Sequence, residues 1–255
     1  MMLAFNKFRV VVLCCVFLLS AQPSVMAAEV DSRTQATIDD LDDDDTYLED
    51  VAVVPVNDPL EGWNRAMFTF NDAMLDYVAR PLHEGYRAVT PEFMRTGISN
   101  FFHNLMFPVR FANNILQGRF LGAGVEMSRF VLNSTAGLGG FIDVAKDKKP
   151  IVPVHDEDFG QTLGVWGFGE GIYIVWPVLG PSTARDSMGM AGDYFLNPIT
   201  YVKPEGLSWG LTAVRTFNDL DSTLDAYDSL KGLAVEPYTA VRDGYIQFRR
   251  AQIEK

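Results

Sequence analysis

The stretch DPLEGWNRAMFTFNDAMLDY, residues 58–77, decides the fold class. Asp58 can accept the first orphan N–H groups of a helix, and Pro59 suits its first position, so a helix should start here. Leu60, Trp63, Met67, Phe70, Met74 and Tyr77 then recur at spacings of three and four, which places these large apolar side chains on one helical face until Pro81 ends the pattern. Core packing is the ordinary role of such a stripe.

Helical periodicity continues downstream. A second helix is expected after Pro91, with Phe93, Met94, Gly97, Ile98, Phe101, Phe102 and Leu105 forming an apolar face wider than one neighbouring helix covers, and Pro108 should bend or end it. Residues 109–118 and 124–136 show the same period, with Gly118, Gly122 and Gly137 at plausible ends. A helix is expected from about Leu207 toward Leu230, with Leu211, Val214, Leu220 and Leu224 as its apolar positions, and a last one from about Thr239 to Ala251. Clean period-two alternation is hard to find, so the chain reads as mainly α.

Residues 163–183 interrupt this pattern. Glu170 is their only charge, and Gly164, Gly167, Gly169, Gly171, Pro177 and Gly180 divide them. The length would cross a bilayer, but so much Gly and Pro would free backbone groups that need partners in lipid. Two readings stand: a bent or re-entrant apolar segment packed on other helices, or a buried segment of a soluble core. Trp166, Phe168, Tyr173 and Trp176 favour a place at the membrane interface, where amphipathic rings sit at headgroup level.

Upstream of Asp58 the composition changes. From Glu29 to Asp50 there are about ten acids against Arg33, and the run Asp42-Asp43-Asp44-Asp45 repels itself too strongly to pack, so residues 28–57 read as a disordered acidic linker. That linker carries most of the formal net charge of -12. The remaining body is mildly acidic and has no basic patch, which argues against a nucleic-acid partner. Further upstream, Lys7 and Arg9 precede an apolar run from Val10 to Leu19, and Val25-Met26-Ala27 offers small residues to a signal peptidase. Residues 1–27 therefore read as a signal peptide cut after Ala27 or Ala28. The run is about half the roughly 20 residues of a spanning helix. Cys14 and Cys15 both lie inside this signal, so the mature chain has no thiol for a disulfide, thiol catalysis or a cysteine metal site. The domain proper is expected over 58–251, with residues 252–255 as a short tail.

Chemistry is sparse. No G-x-S-x-G elbow occurs, and Ser182 in Gly180-Pro181-Ser182 lacks that frame, so no catalytic residues are assigned. His83, His103 and His155 form no metal-ligand pair at helical spacing, and the glycines from Gly167 to Gly171 lack the spacing and lysine of a nucleotide loop. No metal or cofactor is expected. Arg185-Asp186 after Thr183 reads either as a helix start with a local ion pair or as part of a polar pore mouth. Asn64, Asn71, Asn100, Asn104 and Asn113 lie in or beside apolar helical stretches, where each must find a hydrogen bond. Interhelical ties would use them. So would an amphipathic passage for a zwitterionic lipid, which needs polar groups for the head beside apolar ones for the tails.

The ordered blocks DPLEGWNR from Asp58, NFFHNL from Asn100, NNILQG from Asn113, RFVLNSTAGLGGFID from Arg129, DFGQTLGVWGFGEGIY from Asp158, GPSTARD from Gly180 and EPYTAVRDGYIQFRR from Glu236 resemble the MlaA/VacJ family over about Asp58 to Arg250. The resemblance implies a single helical ring-shaped domain with a central amphipathic channel, embedded in the inner leaflet of the outer membrane from its periplasmic face. It implies phospholipid as cargo, taken from the outer leaflet and passed to a periplasmic lipid-carrier protein, with a trimeric porin as partner. It places the helix of Phe70 and Asn71 beside the channel, and Asn100, Asn104, Arg185 and Asp186 are the further channel candidates from the polar residues noted above. Family members are typically lipoproteins, whereas neither Cys14 nor Cys15 here is preceded by a small residue or a sufficient apolar run, so a lipid anchor is not predicted. The reading left open beside this one is a soluble periplasmic lipid-binding or scaffold protein without a channel.

Overall fold

A computed structural model describes residue 56, residues 58–151 and residues 155–254. The expected signal peptide with Cys14, Cys15, Ala27 and Ala28, and the acidic run of the linker, lie outside the described residues.

The opening stretch is helical, but its inward face is not the apolar stripe. In α1, Glu61–Met74, the inward positions are Asn64, Phe68 and Asn71, continued by Leu75, and of the expected stripe Met67 also packs against the core. The expected stripe lies one residue round the helix and is half outside, with Phe70 43% exposed and Trp63 and Tyr77 more so. Asp58 does not cap α1, because with Pro59 and Leu60 intervening its carboxylate stands too early to reach the first-turn amides. It accepts instead from Asn64 Nδ2 at 2.7 Å and from the Tyr238 hydroxyl. Pro81 ends nothing. After Met74 the backbone widens into a π turn over Leu75–Ala79, and α2, Arg80–Val89, follows it without a break and holds Pro81 as its second residue, the wider turn lying beside the proline ring.

Pro91 stands at the start of α3, Glu92–Leu105, and Pro108 lies in the first turn of α4, Phe107–Leu116. Gly118 then adopts φ 73°, a left-handed turn that glycine enters without steric cost, and α5 runs over Phe120–Ala136. Gly122, expected at a helix end, lies inside α5 beneath the Asn114 side chain, which occupies the space a Cβ would need. The segment after Gly137 is irregular and is fixed by buried α5 side chains: Arg129 donates to Asp143 Oδ2 at 2.8 Å and to the carbonyls of Ala145 and Ile151, while Asn133 donates to Asp143 Oδ1 at 2.8 Å.

Residues 163–183 are bent and rest on other helices, and they form neither a single helix nor one core segment. They contain the end of α6, Phe159–Val165, then a loop, then an antiparallel pair, β1 Tyr173–Trp176 and β2 Gly180–Thr183, in register Tyr173↔Thr183 to Trp176↔Gly180. Gly167, Gly171 and Gly180 all have positive φ, which is why the apolar run cannot stay helical. The free edge of β1 is covered by side chains of α1 instead of a third strand. Asn64 donates to Tyr173 O at 3.1 Å and accepts from Val175 N at 2.7 Å; Trp63 donates to Val175 O; Asn71 donates to Trp176 O at 2.9 Å and accepts from Val178 N. The hairpin is thereby the inner wall on which the first and last helices rest, with Tyr173, Val175, Tyr238, Tyr245 and Ile246 as its core.

Thr183 caps α7, Ala184–Leu196, accepting from Asp186 N at 3.1 Å. A short 3₁₀ turn, Pro198–Tyr201, follows. The single helix expected from Leu207 is two, α8 Glu205–Asn218 and α9 Leu220–Leu233. The break is pinned by buried Asn218, which donates to Arg95 O at 2.9 Å and accepts from the Tyr86 hydroxyl at 2.8 Å. The last helix, α10, spans Pro237–Ile253. The architecture is mainly helical, as the periodicity predicts, with one hairpin that the periodicity did not reveal.

Candidate functional site

The polarity of this domain is turned round. Its buried set includes Arg110, Glu126, Arg129, Glu157, Arg185, Asp186 and Arg249, while Phe93, Phe120, Leu121, Leu138, Phe168, Phe195 and Leu207 are exposed. Charged groups seldom bury without partners, so each such interior residue must be built in.

The most elaborate cluster forms where α6, α7 and α10 meet. Asp158 caps α6 through Gln161 N at 2.8 Å and takes both guanidinium arms of Arg249, at 2.6 and 2.9 Å. Arg249 also donates to both oxygens of Asp186, at 3.0 and 3.2 Å. Asp186 accepts from the Tyr245 hydroxyl at 2.8 Å and from Arg185 Nε at 3.0 Å. The close crossing of α6 and α7 depends on Gly160 and Gly189, since a Cβ on Gly189 would strike the Gly160 backbone. Burial alone would raise the pKa of Asp158 and Asp186; the Arg249 charge and hydrogen bonds overcome it and hold both carboxyls below the usual range. Asp193, at the edge of this cluster, goes the other way. Burial first, and then the Asp158 charge, push it up to about 7, although Phe159 N and Asn113 donate to it. A second buried layer joins Arg110 to Glu126 at 2.9 Å, and Thr162 to Asn113 at 2.8 Å.

The expected channel residues occupy three separate junctions. Asn71 ties α1 to the hairpin, and Phe70 beside it points out. Asn100 donates to Phe141 O at 3.3 Å and Asn104 to Ser134 Oγ at 2.9 Å and Gly139 O at 3.4 Å, so together they fix α3 to the end of α5 and to the segment that follows it. Arg185 and Asp186 form the expected helix start with its local ion pair, but within the larger cluster described above. Asp158, Tyr245 and Arg249 were not predicted there. A signal existed for two of them, because Tyr238, Val241, Tyr245 and Arg249 follow one another at helical spacing on the buried face of α10.

The expected interface aromatics divide. Trp166 and Phe168 are 50% and 59% exposed, and Trp166 donates to Leu116 O at 3.0 Å. Its ring thus joins exposed Ile115, Leu116, Phe120 and Leu121 at the corner between α4 and α5. Trp176 is half-buried and bound to Ser187 Oγ at 2.9 Å. Tyr173 is no interface residue: it is 1% exposed and packs against Tyr238 and Tyr245, because strand β1 turns it into the core. A second exposed aromatic group stands where α7 ends, with Tyr194 and Phe195 ring to ring at 5.9 Å and the Tyr201 hydroxyl on Phe195 O at 2.7 Å.

Among the described residues, no group of three or more His, Cys, Asp or Glu is placed to hold a metal ion, and no helix is long and apolar enough to cross a membrane. Ser182 is buried and shares a hydrogen bond with Ser187 at 3.1 Å; no histidine is among its hydrogen-bond partners. His83 is bound to Asp221 at 2.6 Å and His103 to Asp156 at 3.2 Å, while His155 lies exposed.

Known proteins share much of this sequence and its fold. The intermembrane phospholipid transport system lipoprotein MlaA of Escherichia coli is 39% identical over 196 residues, covering 75% of this chain and 76% of that protein. Its namesake in Haemophilus influenzae is 33% identical over 198 residues, covering 75% and 77%. An uncharacterised protein of Rickettsia conorii is 34% identical over 203 residues, covering 79% and 80%. A solved structure reported as "Structural basis for maintenance of bacterial outer membrane lipid asymmetry" superposes with a TM-score of 0.65 at 35% identity, covering 77% of this chain and 99% of that one. Residues 56–252 match the family described as MlaA lipoprotein, and the chain belongs to that family.

Proposed function

We propose that this chain moves phospholipid to maintain outer-membrane lipid asymmetry, taking it from the outer leaflet and passing it to a periplasmic lipid-carrier protein. The observation that carries this reading is the inverted polarity: paired charges inside, large aromatic and aliphatic side chains outside. In water such a surface promotes aggregation. Seated in one leaflet, the same surface meets acyl chains, and the polar interior offers headgroups a wet path past them. With no spanning helix among the described residues, a seat in the inner leaflet suits the fold better than a crossing.

In this reading the domain is a ring around an amphipathic channel, beside a trimeric porin. Phe70 keeps an open side chain for the channel rim, whereas Asn71, Asn100, Asn104, Arg185 and Asp186 hold the frame around it. Trp166 and Phe168 lie at the headgroup level. Signal cleavage at Ala27 or Ala28 removes Cys14 and Cys15, so the apolar rim and the porin hold the protein in place without a lipid anchor. The protein acts on lipid position; among the described residues Ser182 is hydrogen-bonded to Thr183 O and Ser187 Oγ, and its sequence is not that of an elbow.

Fractionation tests the seat. The mature protein is expected with the outer membrane and should need detergent for release; release by osmotic shock would favour the soluble lipid-binding or scaffold reading. Intact mass tests the processing: a mature start at Ala28 or Glu29 is expected, and a diacylglyceryl cysteine would contradict it.

A further inference from the structure

Among the described residues every arginine but one has a carboxylate within ion-pair reach, from Arg65 with Glu61 to Arg250 with Glu170. The exception is Arg215. It lies on α8 one turn beyond Leu211, which packs against buried Phe102, Met106 and Ile199. Residues four apart share a helix face, so the Arg215 side chain leaves α8 on that same inner side. The next residue, Thr216, is buried, and buried Asn218 is fixed to α2 and α3, so the end of α8 that carries Arg215 is rigidly placed.

Acids stand near Arg215 but are engaged elsewhere. Asp156 is held by His103 at 3.2 Å and Arg110 at 3.4 Å, and Asp219 accepts from the Asn218 amide at 3.4 Å. Burial pulls the Arg215 pKa down, opposed by Asp219 and Asp156, yet a guanidinium does not lose its proton in a protein. The result is a half-buried, permanent positive charge with five N–H donors and, among the described residues, no carboxylate within ion-pair reach. Such a group is expensive to keep unless an acceptor arrives from outside.

We propose that the Arg215 guanidinium is a phosphate subsite, which receives the phosphodiester of a phospholipid headgroup as it passes. The planar fork of an arginine matches two phosphate oxygens at once. The apolar side chain of Leu211 lies one turn back on the same helix face, where the first carbons of the acyl chains would lie. This rests on the reading of the chain as a phospholipid handler. A free phosphate ion presents the same oxygens, so the test must separate the two sources.

The full chain in a maltoside detergent is treated with butanedione, and modification of each arginine is mapped by peptide mass spectrometry. It is treated alone, with phosphatidylethanolamine, with diacylglycerol of the same chains, and with inorganic phosphate at matched concentration. Phosphatidylethanolamine should protect Arg215 several-fold, diacylglycerol and inorganic phosphate should not, and exposed Arg65 should react equally throughout. Protection by inorganic phosphate as strong as by the lipid would overturn the headgroup assignment. Equal labelling of Arg215 in all arms, while native mass spectrometry shows phosphatidylethanolamine bound, would mean that water alone satisfies the arginine. Absence of any bound phospholipid in that spectrum would sink the transport reading itself, a distinct failure. In binding measurements R215M should lose about tenfold, or 1.4 kcal/mol, of the preference for phosphatidylethanolamine over diacylglycerol. R215K should retain part of it through its point charge. An R215M protein with the preference intact would overturn the proposal, and should R215M fail to accumulate, the labelling of the unaltered chain decides.

Discussion

Arg249→Met should be among the most destabilising single changes in the domain, and its cost should depend on pH. Methionine keeps the aliphatic length of the side chain but leaves Asp158 and Asp186 without the guanidinium that both of them share. Breaking a buried pair from one side costs about 3–5 kcal/mol. The lower end applies here: the Asp158 side chain is 34% exposed and can rehydrate, and Asp186, at 6% exposed, keeps Arg185 Nε at 3.0 Å. A loss of about 3 kcal/mol in a domain of this size lowers Tm by roughly 6–12 °C. Both carboxyls have folded pKa values depressed below their ordinary ones, so the stability they contribute is present above the unfolded value of about 3.9 and is lost as pH falls through the depressed folded values. The gap between the variant and the unaltered chain is therefore widest near pH 7 and narrows below about pH 4. Urea unfolding followed by tryptophan fluorescence at the two pH values measures it. A cost below about 1 kcal/mol at pH 7, or an equal cost at both, would refute the view that Arg249 holds this cluster together.

Other changes probe separate parts of the fold. Asp193 binds a proton up to about pH 7 when folded, above its unfolded value of 3.8, so its contribution is complete below the unfolded value and is lost as pH rises toward 7; Asp193→Asn should flatten the stability profile between these limits, and an unchanged slope would count against it. Asn64→Ala removes the amide that satisfies Tyr173 O and Val175 N on the edge of β1 and should cost about 1–3 kcal/mol in the same unfolding assay, with a cost near zero excluding edge cover as its role. Gly189→Ala forces a Cβ into the Gly160 backbone and should cost about 1–3 kcal/mol or more, whereas Gly206→Ala, with nothing within 4 Å, should be neutral or slightly stabilising. Equal effects of the two glycine changes would argue that the α6–α7 crossing is not tight.

The helices were legible because their apolar period is strong and their ends carry Pro and Gly: Pro91, Pro108 and Gly118 all mark boundaries of α3 to α5. The hairpin was not, because its strands are four residues each and no alternation accumulates over so short a run. The inward face of α1 was misread for a physical reason. Apolar periodicity finds the face that avoids water, which in a protein seated in lipid need not be the face that meets the core, and Asn64 and Asn71 take the inner positions because a strand edge needs hydrogen bonds. The helix start at Thr183 with the Arg185–Asp186 pair was readable from local spacing. Asp158 and Arg249 were not assigned to the same cluster, since about ninety residues separate them and only the packing of α6 on α10 brings them together.

A chain that keeps phospholipid out of the outer leaflet controls how much phosphatidylethanolamine is exposed at the cell surface, which a membrane-impermeant amine reagent labels on intact cells. Deleting the gene should raise that labelled fraction above the parent strain, and the unaltered chain supplied in trans should return it to the parent level. Surface labelling that is the same with and without the chain, in cells whose envelope is otherwise intact, would mean that the chain does not clear phospholipid from the outer leaflet.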